Sequence, residues 1–156
     1  MADLKTLSEE MEKLKRQIKT VLTIASYPEY DDLSALSDYN EIRTADARQQ
    51  LEEYRNILDK LDRIHSTLSY YDRPIREVSR IYRNETGRYE TDRGYYFTSG
   101  SSIEFLRVEQ VYNEETDAWE DAEIWTSSRV EHNGNDYYLV GFPDVELSGL
   151  KVRVRG

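Results

Sequence analysis

The chain has 156 residues, a formal net charge of −10, no cysteine, 7 glycines and 3 prolines. That length suits one compact domain, or a helical element joined to a small β domain, and the low glycine and proline content excludes a low-complexity chain. Without cysteine there is no disulfide framework, thiolate metal site or thiol catalysis, and the acidic balance disfavours nucleic acid and anionic membranes as partners while favouring basic ones.

The acidity is uneven. Residues 1–85 hold 14 Lys+Arg and 17 Asp+Glu, a net of −3, whereas residues 86–156 hold 7 and 14, a net of −7. No run approaches the roughly 18 apolar residues of a membrane span. The start, Met1-Ala2-Asp3-Leu4-Lys5, lacks the basic and apolar blocks of a secretory signal, so a cytoplasmic location is expected.

The first element is a helix over 4–25. Leu4, Leu7, Met11, Leu14, Ile18, Val21 and Ala25 step by 3 and 4, a heptad seam. Asp3 or Thr6 can cap it, and Tyr27-Pro28 stops it, because a residue before proline resists the α conformation. Residues 26–40 read as an acidic, aromatic connection with three tyrosines, four acids and no base. Leu33, Ala35 and Leu36 suit a short helical turn within it. Its tyrosines either pack onto the helix ends or join an acidic contact surface. A second heptad helix is expected over 42–70, through Ala47, Leu51, Tyr54, Leu58, Leu61, His65 and Leu68. Two such helices pair most simply as an antiparallel hairpin or, with a second copy, as a homodimeric bundle.

Beyond Pro74 the period changes. Residues 75–83 read as a strand entering a turn at Asn84–Gly87, and from there apolar residues alternate. Short strands are expected at 88–90 and 95–97, a long one at 103–112 and its return at 119–132, with a bend or bulge near Thr126-Ser127-Ser128. Asn133-Gly134 signals a hairpin into Tyr137–Val140, and Leu150–Arg155 alternates as a last strand. The expected fold class is α+β: an N-terminal antiparallel helical hairpin over 1–74 and a small SH3-like antiparallel β-barrel over 75–156.

The barrel region carries the motifs Gly87-Arg88-Tyr89, Thr98-Ser99-Gly100 before Ile103-Glu104, Arg129-Val130-Glu131, Tyr137-Tyr138-Leu139-Val140 and Gly149-Leu150-Lys151-Val152-Arg153. Through these, roughly residues 78–155 resemble an uncharacterised family of small β domains, a domain of unknown function from Gram-positive bacteria and their plasmids, transposons and phages. The resemblance implies a β domain and a mobile-element setting, and no activity. The acidic stretch around 113–123 departs from the family's compact pattern, and the helical hairpin lies outside it.

No nucleophile elbow, phosphate-binding glycine loop or zincin motif is present, and Glu114/Glu115 and Glu120/Asp121 lack EF-hand spacing. No catalytic residue, cofactor or metal is expected. The stretch 109–123 holds seven acids and no Lys or Arg. Glu109, Glu114, Glu115, Asp117, Glu120, Asp121 and Glu123, with Trp119 beside them, form the candidate partner-binding surface, joined by Glu29, Asp31 and Asp32 of the connection. Carboxylates so spaced can replace phosphates in a Lys/Arg-lined channel. A solvated hairpin whose acids block edge-to-edge aggregation is the plainer reading. Lys151, Arg153 and Arg155 form an alternative basic face, unless they pair with acids on neighbouring strands.

Two functions follow. One is a non-catalytic inhibitor or adaptor from a mobile element, binding a basic nucleic-acid-handling protein as an anti-restriction or anti-CRISPR protein would. The other is a nucleic-acid- or peptide-binding SH3-like module with the helical hairpin as its oligomerisation element.

Overall fold

The first heptad stripe folds as α1, Leu4–Ala25. Asp3 caps it, its carboxylate accepting from the Thr6 backbone N–H at 2.7 Å. Ser26, at φ +52°, closes the far end by donating to the Leu22 and Thr23 carbonyls. The computed structural model describes all 156 residues. They divide into two units, Met1–Arg73 and Pro74–Gly156.

In the helical unit α2 spans Ala45–Tyr71. It starts later than position 42 because Thr44 caps it, accepting from the Ala47 N–H, while Tyr39–Glu41 form a 3₁₀ turn. The short turn expected around Leu33–Leu36 is a single hydrogen-bonded turn, the Leu36 N–H donating to the Leu33 carbonyl at 3.1 Å, and no helix grows from it. Leu33 has φ +64° and is buried, and a left-handed residue cannot continue a right-handed helix.

The helices are antiparallel and staggered. Lys15 pairs with Asp72, just past the end of α2, and the Tyr27 hydroxyl donates to Asp59 at 3.3 Å. The stagger explains the long connection, which folds over the N-terminal half of α2. Leu33 and Leu36 join Ile18, Leu22, Ala25, Leu51, Leu58 and Leu61 in one apolar cluster, and Arg55 donates to the Asp31 carbonyl. Of the connection's tyrosines, Tyr27 packs on this cluster and Tyr30 is exposed. The seam residues preceding Lys15 (Leu4, Leu7, Met11 and Leu14) remain exposed. No helix is long and apolar enough to cross a membrane.

The second unit has eight strands: β1 Ile75–Arg80, β2 Tyr82–Arg83, β3 Tyr89–Glu90, β4 Tyr96–Phe97, β5 Ser102–Asn113, β6 Ala118–His132, β7 Tyr137–Leu139 and β8 Lys151–Arg155. They make a five-stranded sheet, β1-β8-β5-β6-β7, and a three-stranded sheet, β2-β3-β4. Every pairing is antiparallel. No ladder closes either sheet into the expected barrel. Both sheets supply one core, with Tyr89 and Phe97 from the smaller and Ile103, Phe105, Val130, Leu139 and Val152 from the larger.

No bulge interrupts β6. Its register with β5 runs without a break from Ser102 opposite Arg129 to Asn113 opposite Ala118, Thr126–Ser128 included. The irregularity falls instead in β1, between Ile75 and Glu77. The Asn133-Gly134 signal does make the β6–β7 hairpin. Gly134 takes φ +96°, and the Asn133 side chain accepts from the Asn135 and Asp136 N–H groups.

Candidate protein-binding arm

β5 and β6 are long, but the strands beside them are short. β8 pairs with β5 only at Glu104 and Phe105, and β7 pairs with β6 only at Val130–His132. From Leu106 to Asn113 and back from Ala118 to Trp125, the hairpin therefore continues as a two-stranded ribbon. At about 3.4 Å per residue this arm extends roughly 25 Å.

Strand alternation fixes its two faces. One continues the core face of Ile103 and Phe105 outward as Glu109, Val111, Glu120, Ala122 and Ile124. The other continues the face of Glu104 as Val108, Gln110, Tyr112, Trp119, Asp121 and Glu123. The sequence-predicted acids thus share one arm but are divided: Glu109 and Glu120 on the first face, Asp121 and Glu123 on the second. Glu114, Glu115 and Asp117 occupy the tip, where Asp117 takes φ +52° and Asn113 accepts from the Glu115 N–H.

The hydrogen bonds of these acids are local. Asn113 and Thr116 donate to Glu120 at 3.1 and 3.2 Å, Gln110 donates to Asp121, and the Tyr112 hydroxyl donates to Asp117. Among the seven, only Glu109 has a basic partner, Arg107 at 3.6 Å. Glu109 is half-buried and the other six are exposed. Trp119, 68% exposed, meets the Tyr112 ring edge-on at 5.5 Å. The arm tip therefore combines an aromatic pair with a dense negative field.

The root of the same hairpin is different. Glu104 is 2% exposed and receives both Arg153 and Arg155, at 3.2 and 2.8 Å. Arg153 also stacks over Trp125, 4.7 Å from the ring centroid. Burial pushes the Glu104 carboxyl up, but hydrogen bonds from Arg155 and Arg153, with their charges, outweigh it and hold the group below the usual carboxylate range. The expected cross-strand pairing thus accounts for two of the three cations of the alternative basic face. Lys151 is the exposed one.

Glu29, Asp31 and Asp32 are exposed in the helical unit. Asp32 has a structural task there: its side chain accepts from Ser34, and this bonding lowers its pKa. Sequence reasoning missed two things. Glu104 was passed over, although an acid flanked by Ile103 and Phe105 opposite Arg153 and Arg155 is a signal for a buried ion cluster. The freedom of the arm was also missed. Its signal was length, since 103–112 and 119–132 outrun every other expected strand.

Within the second unit, residues 78–154 match the model of a family described as a domain of unknown function (DUF5348). This part of the chain is similar to a small, uncharacterised domain. No curated protein and no solved structure matches the chain.

Proposed function

We propose that the chain is a non-catalytic protein-binding module whose acidic arm docks into a groove of a basic, nucleic-acid-handling protein and inhibits or regulates it. The observation that carries this reading is the placement of seven acids on a ribbon that leaves the sheet, six of them outside any ion pair. Acids on both faces and at the tip suit a cleft with two basic walls better than a flat basic surface. In such a cleft the carboxylates stand in for phosphates and release the counterions that phosphates would release. Tyr112 and Trp119 would add an aromatic anchor of the kind that dominates interface energetics. An origin on a phage or other mobile element, with the partner a defence nuclease, belongs to the same proposal. So does kinship with SH3-like barrels, for which two sheets around one core are a partial likeness.

The alternative, a nucleic-acid reader using Lys151, Arg153 and Arg155, has less support because Glu104 engages both arginines. The test is affinity capture from a Gram-positive bacterial lysate. The intact chain is run beside a variant with the seven arm acids replaced by their amides. The intact chain is expected to retain a basic nucleic-acid-handling protein at low salt and to release it to duplex DNA or high salt, while the variant retains none. Equal retention by the two, or none by either, overturns the proposal.

A further inference from the structure

The arm has two free edges, and they differ. Along β5 the outer edge carries Arg107 and one acid, Glu109. Along β6 the stretch Trp119–Trp125 carries Glu120, Asp121 and Glu123 and no base. The backbone of β6 can be oriented from one bond. The Val140 N–H donates to the Arg129 carbonyl at 3.0 Å, on the side where β7 lies. In an antiparallel ladder, alternate residues turn both N–H and C=O to the same side. The register of β6 against β5 is unbroken. Trp119, Asp121, Glu123 and Trp125 therefore turn their backbone groups away from β5, and no strand pairs with them, since β7 meets β6 only at Val130–His132.

We propose that this edge of β6, Trp119–Trp125, is a strand-docking site for an extended protein segment bearing Lys or Arg at alternate positions; this rests on the reading above that the arm meets a basic protein. An added strand satisfies the open N–H and C=O groups, and its alternate side chains lie beside Asp121 and Glu123 on one face and beside Ala122 and Ile124 on the other. Basic residues complement the first row and aliphatic residues the second. The same charges oppose pairing of this edge with the β6 edge of a second copy, which would set Asp121 and Glu123 against identical acids. The acids thus act as a filter, guarding the edge against self-pairing and leaving it open to a cationic strand.

The probe is the peptide acetyl-Lys-Val-Lys-Val-Lys-Val-Lys-amide, with a control of equal charge whose backbone nitrogens, lysine and valine alike, are methylated and cannot donate. Both are titrated at low salt into the full ¹⁵N-labelled chain, and amide exchange is followed. The unmethylated peptide is expected to slow exchange at the Asp121 and Glu123 N–H groups by about tenfold, the scale of one or two net backbone hydrogen bonds. The methylated control should fail to do so, and Asp121→Lys with Glu123→Lys should abolish the effect. Equal binding of both peptides without amide protection overturns strand docking and leaves the electrostatic reading of the arm intact. Binding of neither peptide also overturns strand docking, and the capture experiment then judges the arm separately.

Discussion

At the root of the β5–β6 hairpin Glu104 is buried between Arg153 and Arg155, whereas farther out on the same face Asp121 and Glu123 stand exposed with no basic partner. The strands, the register and the alternation are shared. What differs is the neighbour. Where β8 lies alongside, an acid is desolvated and must be matched by cations. Where β8 has ended, acids remain hydrated and the fold places no demand on them. The chain therefore concentrates carboxylates where its own core has no use for them, and the proposed binding of a basic partner rests on this contrast.

The comparison breaks most sharply at the root. Glu104→Ala leaves two guanidinium groups without their shared acid in a largely buried setting and should cost about 3–5 kcal/mol. Urea unfolding of the chain measures it, and a loss below about 1 kcal/mol would place Glu104 among the solvated acids.

Acid should erode the root in the same way. The folded pKa of Glu104 is depressed, so its contribution is present above the unfolded value, about 4.3, and is lost as pH falls through the lower folded value. The gap in stability between the wild type and Glu104→Gln should be constant from pH 7 to about pH 5 and should narrow below about pH 4. A gap that stays unchanged down to pH 2 contradicts the ion cluster.

Smaller effects are expected along the arm. Trp119→Ala removes an edge-on partner of Tyr112 and an exposed ring, and should cost about 0.5–1.5 kcal/mol in the same unfolding experiment. Asp121→Asn and Glu123→Gln should each change stability by less than about 0.5 kcal/mol. A larger loss at either acid would show that the arm is bound into the fold.

Much of the architecture was legible in the residues. The stripe from Leu4 to Ala25 gives α1 its span. The alternation through Ile103, Phe105 and Val111 sets the faces of β5, and Asn133-Gly134 marks the β6–β7 turn. What was not legible depends on which strand lies beside which. A closed barrel and an open pair of sheets use the same alternating strands, and only the ladders distinguish them. The Thr126-Ser127-Ser128 run has turn-like composition, yet an unbroken partner strand holds it extended. The same limit applied to the candidate site. The density of acids between Glu109 and Glu123 could be counted in the sequence, but their division between two faces and a tip required the register. That the arginines of the last strand pair with an acid on a neighbouring strand was legible in the sequence, but that Glu104 is the acid they share required the register.

The central claim is that the arm's acids serve binding and leave the fold alone. Its most direct test is the affinity of the captured basic partner, measured across a salt series, for the wild type and for the chain with all seven arm acids changed to amides. The account predicts steep weakening with salt for the wild type, at least a hundredfold weaker binding for the amide chain at low salt, and the same unfolding midpoint for both, within the small shifts expected of surface substitutions. Equal affinities, or an amide chain that has lost its fold, would contradict it.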